Sequence, residues 1–202
     1  DKLVRSIAAV LIFCAISSAI YVINDLRDVA QDRLHPVKRR RPIASGELPV
    51  LHAWMLAGLL LVVGLLGAVI VRPAFALVIA GYIALMVAYS HGLKRLVIVD
   101  VFAIAAGFVL RAAGGAVAIS VPISPWLYVC TMLLALFLGF GKRRHELAVL
   151  QEHASAHRAN LDSYSLPLLD QIIAVVASAT VMAYSLYTFD APNVPDNRAM
   201  ML

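Results

Sequence analysis

Six long apolar stretches, roughly 3–23, 50–71, 74–90, 96–121, 126–141 and 168–189, divide the chain. Most reach the ~20 residues that a helix needs to cross a hydrocarbon core. The one at 126–141 is shorter, and its helix is read as continuing into the polar segment after it. Inside a bilayer every backbone N–H and C=O must be paired within the protein, which leaves only helices or closed barrels. Strand-like alternation is scarce and the runs are too long for barrel strands. The expected fold is therefore an all-α integral membrane protein with about six transmembrane helices in residues 1–202. With 62% hydrophobic and 14% charged residues, the composition excludes an ordinary soluble domain and gives no basis for nucleic-acid binding. The first stretch is too long for a signal peptide and lacks a small-residue cleavage site.

Basic residues set the expected topology. Segment 24–48 carries Arg27, Arg33, Lys38, Arg39, Arg40 and Arg41; the link near 91–95 carries Lys94 and Arg95; segment 142–167 carries Lys142, Arg143, Arg144 and Arg158. These are alternate connections, so they share one side, and the positive-inside rule makes that side cytoplasmic. The links at 72–73 and 122–125 hold only Arg72. Lys2 and Arg5 point the other way and are outvoted. The chain starts without Met and ends as a new apolar run begins, so the expectation is a single catalytic membrane domain cut at both ends. Cys14 and Cys130 each lie in an apolar stretch and are expected to be small buried hydrophobes, with no disulfide framework.

The polar cluster that follows the first apolar stretch carries the chemistry. Asp25, Asp28 and Asp32 are spaced i, i+3, i+7, which puts all three carboxylates on one face of a helix. Like charges on one stripe call for a cation. Oxygen-only ligands suit Mg²⁺, which takes one or two carboxylates and completes its shell with water and substrate phosphates. Lys38, Arg39, Arg40 and Arg41 follow, between Pro36 and Pro42, which disfavour a continuous helix there. Acid for a metal and base for phosphates together point to a diphosphate site. The same bases also satisfy topology and attract anionic headgroups, so phosphate binding is assigned to Lys38 and Arg41 ahead of Arg39 and Arg40.

These residues resemble a known family. Asn24-Asp25-x-x-Asp28-x-x-x-Asp32, followed by His35-Pro36-x-Lys38-Arg39-x-Arg41-Pro42-Ile43-Ala44-Ser45-Gly46, is similar to the first signature of the UbiA superfamily of intramembrane prenyltransferases. The resemblance runs along essentially the whole chain. It implies a UbiA-like bundle around a central cavity, a parent of roughly nine helices, Mg²⁺ as cofactor and a multi-pass place in a bacterial plasma membrane. Members that prenylate aromatic rings carry a second aspartate-rich motif, but here the corresponding loop reads Gly141-Lys142-Arg143-Arg144-His145-Glu146-Leu147, then His157-Arg158-x-x-Leu161-x-x-Tyr164. With Tyr89-Ser90-x-Gly92-Leu93-Lys94 and Leu110-Arg111-Ala112-x-x-Gly114-Gly115, this resembles the phosphoribosyl-transferring branch. That branch implies 5-phosphoribosyl diphosphate as donor, a polyprenyl (decaprenyl) phosphate as acceptor, and a place in cell-wall arabinan precursor synthesis. A homo-oligomer is left open.

On this reading Asp25, Asp28 and Asp32 are the catalytic and metal-binding set. The substrate-binding candidates are Asn24, Lys38, Arg41, Tyr89, Lys94, Arg111, Lys142, Arg143, Glu146, Arg158 and Tyr164, the last two being the weaker ones. Arg111 lies well inside an apolar stretch, where an unpaired charge costs about 2.5–3.5 kcal/mol on insertion scales, so it should face a cavity or a partner. Asp100 falls near the same helical stripe, with Gly107 between, and the three are read as lining a polar cavity. Gly107, Gly114 and Gly115 are read as close packing positions. Lys142 and Arg143 suit the donor's 5-phosphate, and Glu146 suits a ribose hydroxyl or a second Mg²⁺. His145, His153 and His157 invite zinc, but position 149, where a His-x-x-x-His pair would close, is Val149. No nucleophile stands out, and none is needed, because a lipid phosphate is already an anion.

Two rivals remain at this stage. One is a prenyltransferase of the same superfamily acting on an aromatic acceptor. The other is a transporter or divalent-cation channel, which predicts acids and broken helices near the midplane, whereas these acids collect at helix ends. A CDP-alcohol phosphatidyltransferase lacks its Asp-Gly-x-x-Ala-Arg pattern here.

Overall fold

The computed structural model describes residues 1–152 and 164–190. Long helices α1 (Lys2–Leu34), α3 (Val50–Val71), α4 (Pro73–His91), α5 (Val99–Ile119), α6 (Pro125–Glu152) and α7 (Leu166–Asp190) correspond to the six apolar stretches. All six are long and apolar enough to cross a membrane. A short α2 (Pro42–Ser45) and two single-turn 3₁₀ helices, Lys38–Arg40 and Leu93–Arg95, lie in the polar connections. No strand occurs among the described residues.

Two helices overshoot their apolar stretches. At 1.5 Å per residue, the 33 residues of α1 extend about 50 Å, well beyond a hydrocarbon core of about 30 Å. Its last turns, from Asn24 onward, therefore carry the aspartates beyond the apolar run. The 28 residues of α6 extend about 42 Å, and Lys142 to Glu146 ride on the part that outlasts its apolar run.

The chain forms two compact units, each considered by itself. The first comprises residues 1–86 and 114–121. Within it α1 packs along α3. Gly64 makes that approach possible, since a Cβ there would stand 2.6 Å from Cδ1 of Ile16. Gly114 accommodates the Phe13 ring in the same way, whereas Gly115 faces open space, so only one of the paired glycines is a packing position. Phe13 in turn meets Phe75 and Tyr82 edge-on, and Tyr82 shares a hydrogen bond of 3.1 Å with Ser17. Arg72, the base in the otherwise uncharged links, is occupied locally. Its Nη1 donates to the Val117 carbonyl at 3.0 Å and to Ser120 Oγ, both at the C-terminal end of α5, where a cation suits the helix dipole.

The second unit comprises residues 87–113 and 122–202, of which 153–163 and 191–202 lie outside the described residues. Its core joins Val101 and Ala105 of α5, Ala135, Leu136 and Phe140 of α6, Tyr164, and Leu169 of α7. Outer faces of the long helices remain apolar and exposed, as with Leu59, Val62 and Leu66 on α3, which suits contact with lipid. Cys14 differs from expectation: it is free but exposed, because it lies on the outward side of α1, away from Phe13 and Ile16.

Candidate active site

The acidic end of α1 has two neighbouring stripes. Asp25, Asp28 and Asp32 line one; Val22, Leu26 and Val29 line the other and pack on Ile43 of α2, Leu48 and Ala53 of α3. That apolar contact docks α2 beside the acids. Pro42 starts α2 with its φ already set for a helix, and Gly46 ends it at φ +90°, a left-handed turn that disfavours other residues. Arg33 fastens the hairpin by donating from Nε to the Ala44 carbonyl at 3.2 Å.

Docking α2 splits the basic row. Arg41, at the N-terminal edge of α2, turns inward, and its Nη1 lies 2.8 Å from both Asp25 Oδ1 and Asp32 Oδ2. Lys38, Arg39 and Arg40, on the 3₁₀ turn, stay exposed. Asp32 is buried, whereas Asp25, Asp28 and Asn24 are half-buried. No three carboxylates, histidines or cysteines converge on a common metal point among the described residues. The donor set still fits Mg²⁺, which keeps waters and phosphate oxygens and needs only one or two protein carboxylates. Asp25 and Asp28 remain partly open for that purpose, and a cation binding there must share or displace the Arg41 guanidinium.

The second cluster lies in the other unit and is closed. Asp100, in the first turn of α5, is fully buried. Its Oδ2 accepts from Arg143 Nε at 2.8 Å, and its Oδ1 accepts from the Tyr164 hydroxyl at 3.1 Å. Arg143 donates from Nη1 to Glu146 Oε2 at 2.6 Å, one turn along α6. The Tyr164 hydroxyl also accepts the Ile98 N–H at 2.5 Å. Ile98 has φ +68°, a left-handed conformation that costs a β-branched residue on the order of 1–3 kcal/mol. The hydrogen bond to Tyr164 holds it there. Burial pushes the Tyr164 hydroxyl up to about 12, with Asp100 adding to the rise against the Ile98 N–H, so it stays protonated at neutral pH.

These contacts correct part of the sequence reading. Asp100 does not line a polar cavity with Arg111; it is sealed against Arg143, because a buried carboxylate needs a charged partner and α6 supplies one. The Arg111 guanidinium lies 5.1 Å from the centroid of the Phe108 ring. Arg143 and Tyr164 are both buried and committed to this network, with Glu146 beside them keeping 30% of its side chain exposed. Lys142 is exposed, Tyr89 and Lys94 are half-buried, and the structure joins neither Lys142 nor Tyr89 to either cluster. Arg158, His153 and His157 lie outside the described residues. The role of Asp100 escaped sequence reasoning because its partner is 43 residues away. The only hint was an acid at a position that an apolar helix must bury.

A family model described as the UbiA prenyltransferase family matches residues 2–189. The chain belongs to that family. It is 38% identical over 97% of its length to a protein of Mycolicibacterium smegmatis named decaprenyl-phosphate phosphoribosyltransferase, and covers 62% of that relative. It is 39% identical over 90% of its length to a protein of the same name from Corynebacterium glutamicum, and covers 55% of it. The chain thus spans less than two thirds of these relatives' own lengths. Among solved structures it resembles a UbiA homolog from Archaeoglobus fulgidus bound to DMAPP and Mg²⁺, with a TM-score of 0.76 at 20% identity, covering 94% of this chain and 68% of that one. The likeness establishes the UbiA fold for this chain.

Proposed function

We propose that this chain is the core of an Mg²⁺-dependent transferase that moves a 5-phosphoribosyl group from 5-phosphoribosyl diphosphate to a polyprenyl phosphate, releasing diphosphate. The observation that carries this reading is the 38% identity, over nearly the whole chain, to the M. smegmatis relative of that name. The charges agree with it. Residues 141–147 offer Lys142, Arg143 and Arg144 around a single carboxylate, Glu146, rather than a second acidic motif.

In this reading Asp25 and Asp28, with Asp32 behind them, would hold the cation at the donor's diphosphate, and Asn24 beside them would contact the substrate. The chemistry such a cation supplies when bound is neutralisation of the charge that grows on the departing diphosphate. Lys38 and Arg41 offer charged donors to the same phosphates. Tyr89, Lys94, Arg111, Lys142 and Arg158 are left to contact the 5-phosphate, the sugar and the acceptor phosphate. The acceptor is already anionic, so positioning and leaving-group stabilisation suffice and no protein nucleophile is needed.

The decisive assay incubates membranes holding the full-length parent with labelled 5-phosphoribosyl diphosphate and polyprenyl phosphates of several lengths. Labelled lipid that requires Mg²⁺ supports the proposal. Prenylation of an aromatic acceptor from a polyprenyl diphosphate, without that product, replaces it with the prenyltransferase reading. Cytoplasmic facing is part of the proposal, because the donor is a soluble metabolite. In a background lacking Cys14 and Cys130, cysteines placed at the exposed Arg39, Arg95 and His145 should resist impermeant thiol reagents in intact cells. Labelling of any of them from outside overturns that topology.

A further inference from the structure

We propose that Asp100, Arg143 and Tyr164 form a positioning relay for Glu146, and that Glu146 is the member of this group that contacts sugar hydroxyls of the donor. The inference deepens the phosphoribosyltransferase reading and rests on it. The bonds form an unbroken series: Ile98 N–H to the Tyr164 hydroxyl, that hydroxyl to Asp100, Arg143 to Asp100, and Arg143 to Glu146. From Asp100 onward exposure rises, from 0% at Asp100 and 2% at Arg143 to 30% at the Glu146 side chain. A guanidinium sealed to that degree, with Nε and Nη1 both held by carboxylates, cannot turn to an anionic ligand without breaking two charge-assisted bonds. Glu146 has one oxygen, Oε2, fixed by Arg143 and part of its surface still open.

The chemistry of that open carboxylate selects its ligand. A carboxylate accepts hydrogen bonds and repels phosphate, so its natural partners are hydroxyls. Arg143, which Glu146 shares with Asp100, offsets only part of this charge, so the group stays net negative and disfavours the donor's phosphates further. The relay joins three parts of the second unit: the start of α5, the end of α6 and the residue pair before α7. Glu146 thereby inherits its orientation from the buried core rather than from a flexible surface rotamer.

The test uses the full-length parent and measures KM for 5-phosphoribosyl diphosphate and for polyprenyl phosphate separately. Glu146→Ala should raise the donor KM about tenfold or more, the loss of a charged hydrogen bond, and leave the acceptor KM within about twofold. Tyr164→Phe keeps the ring in the core and removes only the hydroxyl; it should raise the donor KM by a smaller factor. Combined with Glu146→Ala, it should add less than about twofold, since the relay acts only through Glu146. Arg143→Lys should behave like Tyr164→Phe; where it fails to fold, Tyr164→Phe carries the test alone. An unchanged donor KM in Glu146→Ala, or full multiplication of the two effects in the double variant, overturns the relay. Absence of any phosphoribosyl product from the unmodified parent overturns the reading beneath it instead.

Discussion

At the end of α1 the Arg41 guanidinium spans Asp25 and Asp32 with 40% of its side chain exposed; at the end of α6 that of Arg143 spans Asp100 and Glu146 with 2% exposed. The two clusters use the same groups at nearly the same distances. Their surroundings separate them. Arg41 reaches its acids from a short polar connection, so water shares its charge and the bridge can open. Arg143 reaches Asp100 through the packed core of α5, α6 and α7, where each charge depends on the other. An open bridge can exchange partners with a ligand, whereas a closed one can only hold shape.

The strongest way to break this comparison is to halve the closed pair. Arg143→Met removes the cation that Asp100 is sealed against, and Asp100→Asn removes one of the two acids that Arg143 bridges; breaking a buried pair in this way costs about 3–5 kcal/mol of stability. Thermal unfolding in detergent should show both variants as severely destabilised. The double variant Asp100→Leu/Arg143→Met should recover much of the loss, because an apolar pair carries no desolvation cost. Equal destabilisation in the double variant would mean that packing, not charge pairing, dominates there.

The open cluster should respond in turnover, not in stability. Asp25→Asn or Asp28→Asn is expected to lower turnover by at least about a hundredfold, on the order of 2.7 kcal/mol of transition-state stabilisation. The unfolding midpoint should stay close to the parent's. Asp32→Asn should be milder in turnover, because Asp32 is buried behind Arg41. A large fall in midpoint for Asp25→Asn would erase the contrast with Asp100.

How much of this could be read from residues alone follows the same division. The six spans, the helical continuation of α6 and the one-face aspartates were legible, because hydropathy and a period of 3.6 are local properties. The bracketing of the basic row by Pro36 and Pro42 was also legible, as those rings restrict their own neighbours. The inward turn of Arg41 alone among four bases was not, since it depends on Ile43 docking against Leu26 of another helix. Neither was the sealing of Asp100 against Arg143 of another helix, where the shared stripe with Arg111 had suggested a polar cavity. A helical wheel shows which residues share a face, and it cannot show which other helix that face meets.

Arg41→Gln sharpens the view of the open cluster. Losing a charge-assisted donor to the diphosphate should weaken donor binding by roughly ten- to a hundredfold, about 1.5–3 kcal/mol. Binding of Mn²⁺ alone, read by electron paramagnetic resonance as a stand-in for Mg²⁺, should tighten, because the guanidinium and the metal compete for the same carboxylates. Weaker Mn²⁺ binding in this variant would mean that Arg41 organises the acids for the metal rather than standing in for it.

In the closed cluster, alkaline pH offers a gentler probe. The Tyr164 hydroxyl is held up at about 12, above its ordinary value of 10, so the folded chain keeps this proton more tightly than the unfolded one. Its contribution to stability is fully present below pH 10 and declines between about 10 and 12, where the unfolded chain has given up its proton and the folded chain still holds it. The unfolding midpoint should fall across that window, and Tyr164→Phe should flatten part of the fall. An identical profile in the variant would detach this tyrosine from the network's stability.

The smallest effect is expected one residue along α6, and it completes the comparison. Arg144 adjoins Arg143 in sequence and pairs with Asp170 of α7, so by contact alone it looks equivalent. Both partners are about half exposed, however, and water competes for each of them. Screening by salt acts directly on a pair so exposed. Arg144→Gln and Asp170→Asn should therefore leave the unfolding midpoint and the turnover close to the parent's, at low and at high salt alike. The neighbouring Arg143→Met should be severely impaired in the same buffers. If Arg144→Gln matched Arg143→Met, position along α6 rather than burial would govern the worth of these bridges, and the distinction between open and closed clusters would lose its physical basis.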